Sequence, residues 1–157
     1  MRMIMKSAAA ALTLMAVAPA LAAEVMPDPK VLDFKIPAKI PWGPVSAAGS
    51  QQALLYGDPD KPGLYVLLTK WLPGHMSRPH FHENDRFITV LSGTWWIGTG
   101  DTWDPNLTTP MPPGSFVHHY SKQVHWDGAK DQETVIEIVG MGPAQSIPSP
   151  TAKVPSK

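Results

Sequence analysis

The sequence predicts a single all-β domain in which short strands are joined by turns. The 157 residues include 18 prolines and 12 glycines, and turn-forming residues this frequent interrupt helices before they become long. Apolar runs of about four to eight residues recur between the turns, which is the length typical of strands. Neither an internal repeat nor a linker divides the chain. We therefore expect one closed barrel or jelly roll.

The N-terminal segment, residues 1–22, has the pattern of a secretory signal peptide. Arg2 and Lys6 precede an uncharged, mostly apolar run, and residues 20–22 (Ala-Leu-Ala) place small side chains where a signal peptidase reads them. The apolar run is shorter than the roughly 20 residues that a membrane-spanning helix needs. We expect cleavage after residue 22, a periplasmic or secreted protein, and no membrane attachment after cleavage.

The rest of the chain divides into three parts by composition. Residues 23–52 begin with a proline-rich stretch, include one strand candidate at 31–36, and are expected to form an N-terminal arm. Residues 53–142 contain the main series of strand candidates and are expected to form the barrel. Residues 143–157 carry four prolines and are expected to form an extended or disordered tail.

The strand candidates of the barrel follow from apolar runs bounded by turns. Residues 53–56 and 64–71 flank a turn rich in Gly, Pro and Asp, which predicts a hairpin. Residues 86–91 and 94–98 are separated only by Ser-Gly, which predicts another tight turn. The remaining strand candidates are 115–119, 124–127 and 134–139.

Two histidines stand two residues apart just before the apolar run 86–91. Side chains alternate between the faces of a strand, so His80 and His82 should project to the same side. Neutral imidazoles that converge in this way suit zinc, iron, copper and nickel. His125, in a later strand candidate, is a third possible ligand. Three protein ligands would leave a position open for water or substrate, as catalytic metal sites require.

The spacing around these histidines resembles the first motif of the cupin superfamily. That motif contains a glycine, a His-x-His pair, a glutamate and a second glycine. Gly74, His80, His82 and Gly93 stand at the corresponding positions, and Arg86 occupies the position of the glutamate.

The second cupin motif is matched less fully. Gly114 and His125 stand where the motif has a glycine and a histidine, whereas Tyr120, Lys122 and Ala129 replace its proline, glycine and asparagine. The resemblance rests here mainly on the glycine and the histidine.

The resemblance covers about residues 64–139 and implies a double-stranded β-helix, the cupin jelly-roll barrel, with a metal at its wide end. It implies one divalent metal ion, with Fe, Mn, Zn and Ni as candidates, held by His80, His82 and His125. A single-domain cupin-like barrel is therefore the fold that we expect.

Arg86 is the main departure from the cupin pattern, and alternation from His82 points it into the barrel. A guanidinium stays protonated and presents only donors, so it cannot be a metal ligand. Three interpretations stay open. Arg86 binds the carboxylate or enolate of a substrate; it pairs with Asp85, Glu83 or Glu137; or the metal is lost and Arg86 fills its place.

Three adjacent residues near the second motif are candidate catalytic groups. Because His118 and His119 are neighbours, only one of them can face the interior of a strand, where it would be a general base or an extra ligand. Tyr120 offers an acidic hydroxyl, and a packed aromatic ring is its alternative role.

Tryptophans surround the predicted site in the sequence. Trp95 and Trp126 are candidates for the wall of a pocket that holds a planar organic substrate, with core packing as the alternative. Trp95 and Trp96 should lie on opposite faces of their strand. The outward one would suit a subunit contact, and we expect a homodimer.

Composition excludes several classes of function. The 13 basic and 13 acidic residues leave no net charge, which argues against a nucleic-acid partner. The absence of cysteine excludes disulfides and thiolate chemistry. We expect an exported metal-dependent enzyme acting on a small organic molecule, anionic or aromatic, such as a dioxygenase, isomerase or lyase. The alternative is a non-catalytic periplasmic sensor or carrier of a small ligand, since fold alone does not choose.

Overall fold

The structure is a computed structural model that describes residues 26–154. Its described residues fall into two compact units, residues 26–34 and residues 35–154. In the described part of the first unit, the Val31 and Leu32 N–H groups donate to the Asp28 carbonyl oxygen at 2.9 and 3.2 Å, closing a turn. The signal peptide predicted for residues 1–22 lies outside the described residues.

The strand expected at 31–36 is wrong, because these residues form a turn and irregular backbone. A short 3-10 helix, Pro37–Lys39, follows directly. Proline at the first position of this helix lacks an N–H that would otherwise be unpaired, and its fixed φ suits the helical turn. None of the described residues belongs to a helix long and apolar enough to cross a membrane.

All strands of the described residues lie in the second unit. They are β1 (Ser50–Tyr56), β2 (Gly63–Trp71), β3 (His80–Phe81), β4 (Arg86–Ser92), β5 (Trp95–Thr99), β6 (Thr109–Met111), β7 (Phe116–His119), β8 (His125–Gly128), β9 (Thr134–Gly142) and β10 (Ile147–Pro148).

The strands form two antiparallel sheets of five strands each, in the orders β1-β2-β9-β4-β7 and β10-β3-β8-β5-β6. Strands far apart in the sequence lie side by side, as β2 does with β9 and β3 with β8. Antiparallel pairing in two sheets in which most neighbouring strands are not consecutive in the sequence is the arrangement of a jelly roll. The predicted all-β jelly-roll fold is confirmed.

The hydrophobic core is formed by residues of both sheets and follows from the two-residue period of the strands. In β9, for example, Ile136 and Ile138 are buried and alternate with partly exposed residues. Such alternation places one face of each strand against the opposite sheet. The buried cluster consists of Tyr65, Leu67, Trp71, Ile88, Val90, Trp95, Ile97, Ala129, Ile136 and Ile138.

The hairpin predicted for residues 53–71 is present, whereas β4 and β5, on either side of the Ser-Gly turn, belong to different sheets. β1 pairs with β2 as expected, although β1 begins at Ser50, inside the segment expected to be an arm. Between β4 and β5, Gly93 has a φ of 72°, and a Cβ there would lie 2.2 Å from the Glu133 carbonyl oxygen. Only glycine fits a position with both a left-handed backbone and so close a contact.

The C-terminal segment differs from the extended or disordered tail expected for residues 143–157. β10 pairs with β3, Ile147 opposite Phe81 and Pro148 opposite His80. The Ser149 N–H also donates to the Pro79 carbonyl oxygen at 2.9 Å. Proline composition suggested a tail, but proline is compatible with the edge of a sheet, where its missing N–H needs no partner. The segment therefore covers the strand that carries the first histidine.

Candidate metal centre

Three histidines converge at one end of the second sheet. His80 on β3 and His125 on β8 are direct register partners, and His82 follows two residues after His80. One ring nitrogen from each of the three lies within 4.8 Å of the others. The ring centroids are 4.6 Å apart for His80 and His125, 4.9 Å for His80 and His82, and 5.2 Å for His82 and His125. Antiparallel pairing thus brings together the ligand set predicted from the sequence.

Backbone carbonyl groups orient all three rings in the same way. The Nδ1 atoms of His80, His82 and His125 donate to the carbonyl oxygens of Arg78, Gln145 and Gln123, at 2.8, 2.8 and 3.0 Å. A carbonyl can only accept, so Nδ1 carries the hydrogen and Nε2 keeps its lone pair. Outer hydrogen bonds of this kind are what hold metal-binding histidines in their binding tautomer.

The donor set fits a divalent metal ion. His125 Nε2 is buried and has no hydrogen-bond partner among the described residues, and such a buried polar atom requires an explanation. Burial lowers the pKa of His82 to about 2 and that of His125 to about 4; the charge of Arg86 adds to the first effect and Asp127 opposes the second. Both rings are therefore neutral near pH 7, as metal ligation requires.

Arg86 enters the cavity from β4, beside the histidines. Its side chain is partly buried, Nη1 donates to His82 Nε2, and Nε is enclosed without a partner. Burial lowers the pKa of the guanidinium. The Arg86 guanidinium therefore donates to the ring nitrogen of His82 that would bind a metal.

The ion pairs proposed for Arg86 from the sequence are wrong for the described residues. Asp85 accepts instead from His118 Nε2 at 2.9 Å, and Glu83 lies 3.5 Å from the Lys122 ammonium. Glu137 lies on β9 between the inward Ile136 and Ile138, and therefore points to the other face.

Of the two adjacent histidines, His119 faces the interior. It is buried on β7 opposite Arg86, its ring centroid lies 3.8 Å from that of His125, and neither ring nitrogen has a partner among the described residues. Burial, together with the positive charges that His125 and Arg86 can carry, lowers the pKa of His119 to about 2. His119 is thus a neutral imidazole inside the site.

His118 and Tyr120 lie on the outer side of the same sheet, so the catalytic roles expected for them are wrong. His118 stacks on Phe87 at 4.7 Å between centroids and contacts the Tyr120 ring at 4.3 Å. The side chain of Tyr120 is 64% exposed. Strand alternation decides this placement, because residues on either side of an inward residue point outward.

Trp95 and Trp126 are core residues and do not line the site, which corrects the substrate-binding role expected for them. Trp95 is buried in the core cluster, and its Nε1 donates to Asp127 Oδ2 at 2.9 Å. Trp126 is buried on the face of β8 opposite to His125, where a Cβ on Gly98 would lie 2.1 Å from its ring. Both indoles stabilise the barrel by packing.

The cavity at the histidines has a volume of about 380 Å³, and it is lined by residues of both sheets. This volume is in the range of small-molecule sites. Sequence reasoning missed three of its lining side chains, Tyr65, Trp71 and Asp127. Alternation could have found Asp127, two residues after His125, and Tyr65, which shares a strand face with Trp71.

Comparisons with known proteins agree with this architecture. No protein-family model matches the chain, and no curated protein matches it. Among solved structures, the polyketide cyclase RemF from Streptomyces resistomycificus is 18% identical, with a TM-score of 0.59 over 76% of this chain and 89% of that protein.

Two further structures are similar over most of their length. KdgF from Halomonas sp. is 20% identical, with a TM-score of 0.55 over 69% of this chain and 94% of that one. An RmlC-like cupin from Shewanella frigidimarina is 11% identical, with a TM-score of 0.55 over 69% and 88%. Together with the two five-stranded sheets and the histidine-lined cavity, these similarities show that the chain has the fold of the cupin superfamily.

Proposed function

We propose that the protein is an exported metal-dependent enzyme that acts on a small anionic organic molecule. The observation that carries the proposal is the meeting of three oriented histidine nitrogens and one guanidinium in a single cavity of about 380 Å³. Neutral imidazoles would hold a divalent cation, and the guanidinium would receive a carboxylate or enolate oxygen.

His80, His82 and His125 would hold the metal through Nε2. Three protein ligands leave a position open, and a metal bound there would supply Lewis-acid polarisation or oxygen activation. Iron, zinc and nickel all suit imidazole ligands, and manganese stays a fourth candidate, so the residues do not choose among the metals.

The other polar groups of the cavity bind and orient a substrate. Arg86 would hold the anionic group in a bidentate contact, and the neutral His119 ring offers one donor and one acceptor nitrogen for hydrogen bonds to a substrate, since neither has a partner among the described residues. The Tyr65 and Trp71 rings, both on β2, supply the aromatic wall. An aromatic wall next to a guanidinium suits a planar anion.

The class of reaction is a dioxygenase, isomerase or lyase reaction on such a substrate. The same fold occurs in a polyketide cyclase and in a DMSP lyase structure, the latter 16% identical with a TM-score of 0.56. These names support an enzymatic role, but one fold serves many chemistries.

The first test is the metal content of protein purified without a chelator, followed by a substrate screen under air with oxygen uptake recorded. We expect about one divalent metal ion per chain and turnover of a carboxylate or enolate substrate in the reconstituted protein. A protein that takes up no metal under any condition would contradict the proposal.

A second candidate is a non-catalytic periplasmic binder or sensor of a small ligand. The observation that favours it is the bond from Arg86 to His82 Nε2, which satisfies a ligand atom without a metal. In this case the purified barrel would contain no metal and would bind small anions without turning them over.

Export is proposed from the N-terminal pattern of residues 1–22. We expect protein from a periplasmic fraction to begin at Ala23, since residues 20–22 place small side chains before that bond. Intact-mass measurement of that fraction tests this, and a mass that retains residues 1–22 would contradict it.

Homodimer formation stays a prediction. Its support is the outer face of the first sheet, where Phe87, Phe116 and Tyr120 are 42%, 66% and 64% exposed. Adjacent exposed aromatic side chains are more typical of a contact surface than of a surface facing water.

A further inference from the structure

We propose that Arg86 makes metal binding and anion binding at this site depend on each other. The proposal deepens the proposed function and rests on it. In the structure, Arg86 Nη1 donates to His82 Nε2, while His82 Nδ1 donates to the Gln145 carbonyl oxygen at 2.8 Å. Nε2 therefore carries the only available lone pair of this ring, and that lone pair accepts from one partner at a time. A guanidinium and a metal ion compete for the same atom.

A guanidinium that leaves His82 has no anionic partner waiting among the described residues. No described ion pair includes Arg86. The carboxylate of Asp127 also lines the cavity, but it already accepts from Ser77 Oγ and Trp95 Nε1, each at 2.9 Å. Metal binding alone would place an unpaired guanidinium beside a second cation in a partly buried site, and such an arrangement is costly.

A small carboxylate or enolate removes this conflict. Bound to Arg86, it draws the guanidinium away from His82 and leaves Nε2 to the metal. A metal on Nε2 in turn releases the guanidinium for the anion. By linkage, each ligand raises the affinity for the other by the same factor. The site would then bind metal firmly only when an anion is present.

The direct test is a calorimetric titration of Co²⁺ into metal-depleted protein, once in chloride and once in acetate at equal ionic strength. For the parent we expect acetate to raise the affinity for Co²⁺ by about 5- to 150-fold, the usual range of coupling between sites. For Arg86→Leu we expect tighter Co²⁺ binding than in the parent in chloride, because the competing donor is gone, and no further gain in acetate.

A matched control removes one positive charge outside the cavity. The Lys130 ammonium lies 3.8 Å from the centroid of the Trp96 ring and does not line the cavity. Lys130→Leu should therefore show the same response to acetate as the parent. Any weak complex of Co²⁺ with acetate in solution affects all three proteins equally, so the comparison among them isolates Arg86.

A second measurement reports the competing hydrogen bond itself. In the metal-depleted protein, the ¹⁵N resonance of His82 Nε2 should move on Arg86→Leu, while those of His80 and His125 stay in place. This readout does not depend on metal binding or turnover.

The outcomes separate the two proposals. If the parent binds Co²⁺ equally well in chloride and acetate, or if the effect of acetate persists in Arg86→Leu, coupling through Arg86 is overturned and the metal site stands. An unmoved His82 resonance would also overturn it. If Co²⁺ binds to neither protein, the proposed function fails, and the coupling fails with it.

Discussion

His125→Ala should abolish stoichiometric metal binding while leaving the barrel folded. Only two oriented histidines, His80 and His82, would remain, and two protein ligands are too few for a stable site. Removing a residue that only hydrogen-bonds to a metal ligand already lowers metal affinity by up to about a hundredfold. Removing a ligand itself should therefore lower the affinity for Co²⁺ or Zn²⁺ by more than roughly a hundredfold. Calorimetric titration and metal analysis measure the effect.

His118→Ala is the matched control for this variant. His118 lies on the outer side of its sheet, stacked on Phe87, and contacts none of the three ligands in the described structure. Its removal should leave metal content unchanged. Circular dichroism on both variants establishes that they fold. If folded His125→Ala binds metal as well as the parent does, the ligand set is wrong, and His119 becomes the next candidate.

Arg86→Lys should weaken the binding of small carboxylates by roughly ten- to a hundredfold, which corresponds to ~1.5–3 kcal/mol for a charge-assisted hydrogen bond. Lysine keeps the charge but presents a compact ammonium, and this cannot make the bidentate contact of a guanidinium. At saturating metal, the variant should hold as much metal as the parent. Titration of acetate or benzoate into metal-loaded parent and variant gives the two affinities.

The control for this prediction is Lys130→Arg, which exchanges the same two side chains outside the cavity and should leave carboxylate affinity unchanged. Equal affinities for parent and Arg86→Lys would mean that Arg86 only hydrogen-bonds His82. The main support for an anionic substrate would then be gone.

Much of the ligand set was predictable because it depends on local rules. Alternation along one strand places His80 and His82 on the same face, and the spacing of both motifs indicated His125. The hairpin at 56–64 and the turn at 92–95 were predictable for a similar reason, since turn residues such as Gly93 have a left-handed backbone that few other residues adopt. Each of these inferences required only the identity and spacing of residues along the sequence.

Other assignments required knowing which face of each strand meets the opposite sheet. The sequence showed that only one of His118 and His119 could point inward, and the register of β7 with β4 selected His119. Trp126 was expected in the pocket but is buried on the opposite face of β8, because His125 and Asp127 take the cavity face. Composition likewise suggested a C-terminal tail where β10 completes a sheet.

The sequence by itself determined the fold class, the three histidines of the candidate metal site and the presence of a cation where a carboxylate was expected. Only the tertiary structure decided what that cation does. On the sequence alone, Arg86 could have formed an ion pair with any of the acidic residues Asp85, Glu83 and Glu137. In the structure it donates to His82 Nε2 instead. The physical reason is that a hydrogen-bond partner depends on three-dimensional proximity and on which nitrogen keeps its lone pair. For His82, the carbonyl of Gln145, 63 positions later, sets that choice.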